Sequence, residues 1–416
     1  MAARVETRCC IVGGGPAGIV LGFLLARMGV DVHVLEKHAD FLRDFRGDTI
    51  HPSTMQVMHE LGLLDSFLKC PHQEVRELAG WVGTQTAILA DFTHLPTRCK
   101  FIAFMPQWDF LNFMAANGKR YPSFHLHMQA EVTDLIEENG RVAGVRAKTN
   151  DGELEIRAGL TVGADGRHSI VRERAKLDLM VLGAPMDILW MRVSRKPSDP
   201  GQSLGRMDTG RMLAMLNRDE YWQLAYVIPK GTVDELRSQG IEQFRQKIVQ
   251  LAPFLSDRAA ELRSWDEIKL LTVAVDRLRQ WARPGLQCIG DAAHAMSPIG
   301  GVGINLAIQD AVATSNILGP KLLKGAPTLD ELNAVQRRRM FPTRATQWFQ
   351  IAAQNNVIKR VLESTKPMSM PWPLKLARRF PILRRIPARV IGMGFRPEHV
   401  RTPEARSSVD TPVAAD

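Results

Sequence analysis

The N-terminal glycine-rich motif is the first part of the sequence that could do chemistry. It has the spacing G-x-G-x-x-G and is followed by Glu36, 18 residues after its last glycine. In such a motif the first glycine allows a tight turn, the second lets a diphosphate approach backbone N–H groups, and the third lets a helix pack closely on a strand. The positive end of that helix attracts the diphosphate, and the acid can accept hydrogen bonds from both ribose hydroxyls while repelling a 2′-phosphate. The sequence therefore predicts a dinucleotide site whose diphosphate is held by Gly13, Gly15, Pro16, Ala17 and Gly18.

Two later motifs place acidic residues at the ends of predicted strands. Asp165 follows a short apolar run in the segment 163–169, and Asp291 follows another in the segment 290–294. Asp291 is an acceptor suited to ribityl hydroxyls. The glycines beyond it precede a helix whose first N–H groups could stabilise negative charge on the pyrimidine ring of a flavin. Taken alone, each motif could also be an ordinary strand followed by a turn.

The elements that must position these motifs follow from the hydrophobic pattern. Residues 7–12 are a short apolar run, 16–28 have helical length and composition, and 31–35 form a second strand. This order predicts a β-α-β unit at the N-terminus. The other predicted elements are strands at 162–165, 187–193, 211–216, 221–228 and 286–290, hairpin turns at Asn139-Gly140 and Asp151-Gly152, and helices at 52–61, 107–117, 233–251 and 304–318.

This order of elements predicts an α/β protein with a discontinuous, Rossmann-like cofactor-binding domain. An antiparallel β-sheet substrate domain is inserted into it, and a helical C-terminal segment follows. The predicted boundaries are 1–72, 100–178 and 280–345 for the cofactor-binding domain, 73–99 and 179–279 for the substrate domain, and 346–416 for a basic helical segment with a disordered end.

Composition and charge narrow the class of protein. The chain has 416 residues, of which 45% are hydrophobic and 24% charged, which excludes a collagen, an extended disordered chain and a disulfide scaffold. From Arg337 to Arg401 there are 15 Lys or Arg and two Glu, a net charge of +13. Since the whole chain has a net charge of +10, the rest of it has a net charge of −3. This pattern predicts contact of the C-terminal segment with an anionic surface and no nucleic-acid-binding module. Five cysteines without metal-ligand spacing predict reduced thiols in a cytoplasmic protein.

Taken together, the three motifs resemble those of the class A FAD-dependent aromatic hydroxylases, the group similar to p-hydroxybenzoate hydroxylase and the ubiquinone-biosynthesis hydroxylases. The resemblance covers about residues 5–345. It implies an FAD-dependent monooxygenase that is transiently reduced by NAD(P)H and uses dioxygen to hydroxylate an aromatic or other electron-rich substrate through a C4a-hydroperoxyflavin. The alternative that shares this fold is a reductase of the geranylgeranyl-reductase type, which transfers hydride.

Motifs that the sequence lacks fit this resemblance. A second G-x-G-x-x-G is missing, which argues against the reductases with two Rossmann domains. No Cys-x-x-Cys follows the first motif, so the disulfide reductases are excluded. The Trp-x-Trp-x-Ile-Pro stretch of the flavin-dependent tryptophan halogenases is also missing.

The resemblance also implies roles for residues outside the first motif. Glu36 would bind the adenosine ribose, Arg46 would lie near the diphosphate, and Asp165 would support binding of both FAD and NADPH. Val132 would meet the adenine through its backbone, and Asp291 would hold the ribityl chain or the diphosphate. The remaining residues implied to contact the flavin or its ribityl chain are Gln107, Pro298, Gly303, Ile304 and Asn305.

Single residues that could act as a base have simpler structural roles. His294 is interpreted as structural, as the histidine of this motif is in the family, and His51 as a packed or capping residue at a helix start. Tyr221 and Tyr226 are separated by an odd number of residues on one strand and must face opposite sides of the sheet. No catalytic base is identified.

The basic C-terminal segment leaves two interpretations open. Its arginine pairs and bulky apolar residues between Pro371 and Pro387 could enter the headgroup layer of an anionic membrane. They could equally form a helical cap whose arginines cover the protein body. Pro373, Pro381 and Pro387 prevent one long amphipathic helix. The expected partner is an aromatic or lipid-soluble small molecule, and the sequence leaves a homodimer open.

Overall fold

The structure is a computed structural model that describes residues 3–42, 49–366 and 368–405. The strands are β1 (Ala3–Val12), β2 (Val32–Leu35), β3 (Thr49–Ile50), β4 (Gln73–Val75), β5 (Glu77–Val82), β6 (Gln85–Asp91), β7 (Ile102–Phe104), β8 (Phe124–His127), β9 (Glu131–Glu138), β10 (Arg141–Thr149), β11 (Gly152–Gly163), β12 (Leu179–Val181), β13 (Met186–Ser194), β14 (Leu204–Asp208), β15 (Arg211–Asn217), β16 (Tyr221–Pro229), β17 (Lys269–Leu271), β18 (Asp276–Leu278), β19 (Ala282–Arg283), β20 (Leu286–Cys288) and β21 (His294–Ala295). The helices are α1 (Pro16–Arg27), α2 (Pro52–Glu60), α3 (Leu64–Phe67), α4 (Gln107–Gly118), α5 (Ile170–Arg174), α6 (Val233–Ser238), α7 (Ile241–Leu251), α8 (Val302–Leu322), α9 (Leu329–Ala353), α10 (Lys359–Leu362), α11 (Trp372–Arg379) and α12 (Arg385–Gly392).

The N-terminal β-α-β unit forms as the sequence predicts. Strands β1 and β2 pair in parallel, with Cys9 opposite Val32, and α1 between them is buried along almost its whole length. Pro16 stands in the first turn of α1, where its missing N–H costs nothing. Gly29 follows the helix with a φ of 83°, a conformation that glycine adopts without steric cost.

An eight-stranded sheet extends this unit. Its main path runs in the order β19-β20-β11-β1-β2-β8, and β10 and β9 continue from β11 as an antiparallel meander. The turn between β9 and β10 has positive φ at Asn139 and Gly140, as a two-residue hairpin requires. Because β1, β11 and β20 are parallel neighbours, their carboxyl ends meet at one edge of the sheet. The three motifs follow these three strands, and the predicted α/β fold class is confirmed.

A seven-stranded sheet has the order β17-β13-β16-β15-β14-β5-β6. Its central strands pair antiparallel, as predicted. One face packs under α7, with Trp222 and Phe244 fully buried. Tyr226 is on this face, with its ring 5.2 Å from that of Phe244. Tyr221 is on the same strand at an odd spacing from Tyr226 and therefore belongs to the opposite face.

The predicted helix over 233–251 is wrong in one respect. It is divided into α6 and α7 by Gly240, whose φ is 85°. The left-handed region cannot continue an α-helix, so the chain turns there and α7 starts in a new direction. The strand predicted at 162–165 is the end of the longer β11, and Asp165 lies just beyond it.

The C-terminal segment divides into short helices and an extended strap. A π-helical turn at Gln354–Ile358 separates α9 from α10. The segment predicted not to form one long helix is divided at Pro381, whereas Pro373 and Pro387 lie in the first turns of α11 and α12. Beyond α12, residues 397–405, called the strap here, run back over the N-terminal unit. The guanidinium of Arg27 donates to the carbonyl of Thr402 (2.9 Å), and the Ala405 N–H donates to the Arg27 carbonyl (2.8 Å). The predicted disordered end lies outside the described residues, and the division into domains stays a prediction.

Candidate functional site

The three glycine-rich motifs are packed against one another. A methyl group added at Gly13 would lie 2.4 Å from the carbonyl oxygen of Ala164, which belongs to the second motif. One added at Gly290, in the third motif, would lie 3.1 Å from the Cβ atom of Ala17 and 3.2 Å from that of Ala307. Residues far apart in sequence therefore meet around the N-terminus of α1, at the carboxyl edge of the sheet. Ligands bind at this position in open α/β sheets.

The glycines of the first motif differ in the space around them. A methyl group at Gly18 would lie 1.9 Å from the carbonyl oxygen of Gly13, so the helix and the turn are in direct contact there. At Gly15 no atom lies within 4 Å of such a methyl group, and no side chain caps α1. This open position in front of the N-terminal amides of a 12-residue helix suits an anionic group such as a diphosphate.

Glu36 is held in place at the end of β2. Its side chain is buried, with the residue 8% exposed. One carboxylate oxygen accepts from the Gly14 N–H (2.9 Å) and the other from the His38 N–H (3.0 Å). The carboxylate therefore lies beside the glycine-rich turn, where the ribose of an adenosine would be expected.

Replacing Glu36 with alanine is expected to weaken FAD binding while the protein stays folded. A lost charge-assisted hydrogen bond costs roughly 1.5–3 kcal/mol, which is about one to two decades in affinity. Titration of the apoprotein with FAD, followed by flavin fluorescence, measures the change. Glu153→Ala, which removes an exposed carboxylate from β11, is the control. Equal FAD affinity in both variants would contradict a role for Glu36 at the ribose.

Asp165 is used within its own loop. One carboxylate oxygen accepts from the Ser169 hydroxyl (2.5 Å) and the other from the Val171 N–H (3.2 Å), so the side chain supports the start of α5. Burial raises the pKa of Asp165, although these hydrogen bonds act in the opposite direction. Its contribution to a cofactor site would be to fix the backbone of the second motif, and the direct support of FAD and NADPH stays a prediction.

Two arginines connect the second and third motifs. The Arg167 guanidinium lies 3.5 Å from the carboxylate of Asp291, which is partly exposed at the crevice. The Arg172 guanidinium donates to the carbonyls of Ala292 (3.2 Å) and Arg167 (2.5 Å). No function could be predicted for these arginines from the sequence, because each contacts a residue more than 100 positions away or a carbonyl within an irregular loop.

The turn before α8 depends on two glycines and leaves the start of the helix open. Gly300 and Gly301 have φ values of 75° and 63°, and a methyl group at Gly301 would collide with Thr49. No side chain caps α8, and a methyl group at Gly303 would have its nearest neighbour at 3.7 Å. Amides at an uncapped helix start can stabilise negative charge on a bound ring system.

Asn305 holds this turn against the N-terminal part of the chain. Its side-chain oxygen accepts from the His51 N–H (2.9 Å) and from the Thr54 hydroxyl (2.8 Å). Its amide nitrogen donates to the carbonyls of Thr49 (2.9 Å) and Gly301 (3.3 Å). All four hydrogen bonds of this buried amide are made within the protein, so its role here is positioning.

The other predicted contact residues are dispersed around the crevice. Gln107 is the first residue of α4, and its side chain makes no hydrogen bond within the described part of the chain. Val132 is buried on β9, and two residues before it the Ala130 N–H donates to the Glu36 carbonyl (2.9 Å). Pro298 begins the turn before α8, and Ile304 is buried in the first turn of that helix. Arg46 lies outside the described residues.

The two candidate histidines are both buried and bonded within the protein. His51 donates from Nδ1 to the carbonyl of Ile391 (2.7 Å). Burial lowers its pKa to about 4, although that hydrogen bond acts in the opposite direction. His294 Nε2 lies 2.6 Å from the carboxylate of Asp310. The structural interpretation of both agrees with these contacts.

Asp310 is the centre of a buried ionic network that sequence analysis missed. Besides His294, it accepts from the Gly290 N–H (3.1 Å) and from Arg339 Nε (2.8 Å). Arg339 also lies 3.3 Å from Glu398 in the strap, which forms a bidentate pair with Arg338 at 2.7 and 3.0 Å. The network connects the turn that carries Asp291 to the C-terminal strap.

A buried apolar cluster lies against the turn before α8. Ile299 packs against the face of the seven-stranded sheet that contains Ile188, Ala225 and Val227, together with Ile358 from the π-helical turn. A cofactor ring beside Pro298 would thus border an apolar region between the turn and the sheet.

Comparison with known proteins identifies the family of the chain. Residues 6–348 match the family described as FAD binding domain. The chain is 31% identical over 386 residues to the 6-methylpretetramide 4-monooxygenase of Streptomyces rimosus, covering 92% of each chain. It is 24% identical over 326 residues to the 3-demethoxyubiquinol 3-hydroxylase of Escherichia coli, covering 75% of this chain and 79% of that one.

Solved structures of other proteins share the fold of this chain. The p-nitrophenol 4-monooxygenase PnpA from Pseudomonas putida superposes with a TM-score of 0.72 at 19% identity, covering 94% of this chain and 96% of that one. The FAD-dependent monooxygenase PqsL from Pseudomonas aeruginosa, described as probable, superposes with a TM-score of 0.71 at 22% identity, covering 86% and 97%.

Proposed function

The chain belongs to the FAD binding domain family and is an FAD-dependent monooxygenase, and from this premise we propose that it hydroxylates a ring carbon of an aromatic, lipid-soluble substrate. NAD(P)H is the reductant and dioxygen the oxidant. The two relatives compared above are a monooxygenase and a hydroxylase, which favours hydroxylation over the hydride transfer of the reductase alternative.

The observation that carries the proposal is the apolar cluster beside the turn before α8. Met186, Ile188 and Val227 are buried members of it on the sheet, and the partly buried Trp190, Met212 and Ile299 pack against it. An uncharged aromatic substrate would gain binding free energy by contact with the partly buried members, whereas an ionic one would lose its hydration without a partner.

The residues around the crevice bind and orient the cofactor and keep water away from it. The amides of α1 and the carboxylate of Glu36 would hold the adenosine diphosphate end, and Asp291 the ribityl chain. Asn305 fixes the turn whose amides face the pyrimidine edge. Bound FAD would supply the redox and oxygen chemistry, so the protein contributes geometry, charge and a dry surface.

Oxygen labelling tests the reaction. We expect 6-methylpretetramide or a related aromatic compound to accelerate NAD(P)H oxidation by the purified holoenzyme. The hydroxylated product should contain one atom from labelled dioxygen. Reduction of a substrate double bond without incorporation of labelled oxygen would contradict the proposal and support the reductase.

We also propose that the enzyme contacts an anionic membrane through α11, α12 and the turn between them. Between Lys366 and Pro397 the sequence has eight Lys or Arg and no Asp or Glu. Trp372 is 74% exposed, and Ile382 and Ile386 are each 63% exposed. A surface that combines exposed bulky apolar residues with cationic ones is typical of proteins at a headgroup layer. The inner side of α12 packs against the body, where Gly392 is close to Phe92, so the segment caps the fold as well.

None of the helices in the described part of the chain is both long and apolar enough to span a bilayer. The proposed contact is therefore peripheral.

Liposome co-sedimentation tests the membrane contact. The triple variant Trp372→Ser, Ile382→Ser, Ile386→Ser removes the apolar side chains and keeps every arginine. Each arginine near an anionic surface contributes on the order of 1 kcal/mol, so we expect wild-type binding to phosphatidylserine vesicles to weaken with salt. The triple variant loses the apolar contacts with the headgroup layer, and we expect it to bind at least tenfold less. The control Leu270→Ser changes an exposed apolar residue on β17. Negligible binding by all three proteins would overturn the proposal, and a change from dimer to monomer in the triple variant would assign the surface to self-association instead.

A further inference from the structure

Three histidines and an aspartate meet at the open edge of the eight-stranded sheet. Strand β8 is the last strand on this side and pairs in parallel with β2. In this register His33 lies opposite His125, and Leu35 lies opposite His127. Since alternate residues of a strand face the same side, all three imidazoles lie on one face of the sheet. Asp31 immediately precedes β2 and lies beside them.

The donor atoms of this cluster are close enough to share one metal ion. One ligand atom each from Asp31, His33 and His125 lie within 4.8 Å of one another. His125 Nε2 is already 3.1 Å from Asp31 Oδ1. Ligand atoms bound tetrahedrally to zinc at about 2.0–2.1 Å lie roughly 3.3 Å apart, so small side-chain rotations bring the three donors onto a common ion.

The surroundings of His33 suit a metal ligand. His33 is 7% exposed. Its Nδ1 lies 2.8 Å from His127 Nε2, which leaves the second ring nitrogen for a metal. Its ring stacks at 4.4 Å from that of His125 and 5.0 Å from that of His127.

The carboxylate of Asp31 is oriented by its own partner. The Thr7 hydroxyl donates to Asp31 Oδ2 (2.7 Å) and turns Oδ1 toward His125. Metal sites commonly use such outer hydrogen bonds to fix their ligands. Here the Thr7 hydroxyl fixes the orientation of Asp31, and the His127 ring fixes that of His33.

We propose that Asp31, His33 and His125 bind one zinc ion, with a fourth position open to water. Two imidazoles and a carboxylate are a ligand set that suits late first-row metals and not Mg²⁺ or Ca²⁺. The site is separate from the proposed hydroxylation chemistry. It would cross-link β8 to β2, and the Glu36 N–H donates to the His127 carbonyl (2.8 Å) just beyond it. The ion would therefore stabilise the sheet edge that ends at the predicted ribose site.

Metal binding is tested on the full-length holoenzyme after treatment with EDTA. Zn²⁺ is titrated against a chromophoric chelator, and Co²⁺ binding is followed by its visible absorption. We expect one equivalent of Zn²⁺ per chain, a Co²⁺ spectrum typical of four-coordination, and at least tenfold weaker binding in both His33→Ala and His125→Ala. The control His94→Ala removes an imidazole that lies 3.6 Å from Asp91 elsewhere on the surface, and it should bind like wild type.

The FAD content of each variant shows whether it has folded, and His125 is exposed enough that its replacement should leave the fold intact. Non-saturable binding would overturn the proposal. So would binding of equal strength in folded His125→Ala and wild type. Neither result bears on hydroxylation, which is measured separately by oxygen incorporation.

Discussion

Gly18→Ala is expected to abolish FAD binding and to lower the thermal stability of the protein. The added methyl group would lie 1.9 Å from the Gly13 carbonyl oxygen and 3.2 Å from Ile11 Cγ2, on a helix that is buried along almost its whole length. Neither backbone can yield without moving α1 away from β1. Overpacking of a filled core costs roughly 1–3 kcal/mol and more where the backbone must shift. Thermal unfolding and the flavin absorbance of the purified protein measure both effects.

Gly15→Ala is the informative partner of this variant. Its methyl group meets no atom within 4 Å, and the φ of −73° is ordinary for alanine. The apoprotein should therefore melt like wild type. If the open space is the diphosphate cradle, the same methyl group costs about 1–3 kcal/mol when FAD binds, a loss of about one to two decades in affinity.

Gly201→Ala, at an open position distant from the motif, controls for the substitution itself. Full FAD affinity in Gly15→Ala would place the diphosphate elsewhere. A Gly18→Ala protein that is yellow and as stable as wild type would show that the close contact is not required.

The first motif could be predicted because all of its constraints are local. The glycine spacing, the proline at the helix start and the acid after the second strand lie within 36 residues, and each has one physical explanation. The antiparallel strands of the seven-stranded sheet were also predictable, because 187–193, 211–216 and 221–228 are short apolar runs that follow one another along the chain.

The contacts that complete the site could not be predicted, since they join residues distant in sequence. Arg167 meets Asp291, and Arg339 meets both Asp310 and Glu398. A charged residue in a helix is usually solvated, and nothing in the local sequence of Asp310 or Arg339 distinguishes a buried position. Gly240 was a local sign of a helix break, but the residues on both sides of it were predicted as one helix. In the structure this glycine has a positive φ and divides the segment into two helices.

The strap shows the same limit in another form. Its sequence has no hydrophobic period, and basic composition alone suggested helix and a disordered end. In the structure, residues 397–405 are ordered by specific hydrogen bonds to the N-terminal unit, such as that between the Val400 N–H and Glu60 (2.9 Å). Its partners Arg27 and Glu60 lie more than 300 residues away and Arg338 lies 60 residues away, and a single sequence discloses none of these contacts.

Asp310→Asn is expected to be the most destabilising conservative change in the network around the third motif. Asp310, Arg339 and His294 are almost fully buried. Burial would raise the pKa of Asp310, but His294 and Arg339 lower it below its ordinary value, so the carboxylate is charged in the folded protein. Removing one partner of a buried ion pair leaves the other charge uncompensated and costs roughly 3–5 kcal/mol. Arg339 donates to one carboxylate oxygen of Asp310 and Gly290 donates to the other. An asparagine has only one side-chain oxygen, so it cannot accept both hydrogen bonds in the same way.

The loss should depend on pH in a defined direction. Because the folded state holds the pKa of Asp310 below the ordinary value of about 4, its ionic contribution is complete above that pH. It is lost as the pH falls through the lowered pKa. The difference in stability between wild type and Asp310→Asn should therefore be constant near neutrality and should shrink in acid.

A surface pair on α9, the helix that carries Arg339, provides the control for this variant. Asp330 lies 3.0 Å from Arg337 on α9, with both side chains exposed, and such pairs contribute about 0–1 kcal/mol. Asp330→Asn should melt within experimental error of wild type. Asp310→Asn should melt well below it and, because Gly290 loses its carboxylate acceptor, should release FAD more readily on dialysis. Glu398→Gln, which keeps the shape of the outer partner and half of its acceptors, should fall between the two. Equal melting and flavin retention in Asp310→Asn and Asp330→Asn would mean that the buried network neither supports the turn at Gly290 nor ties it to the strap.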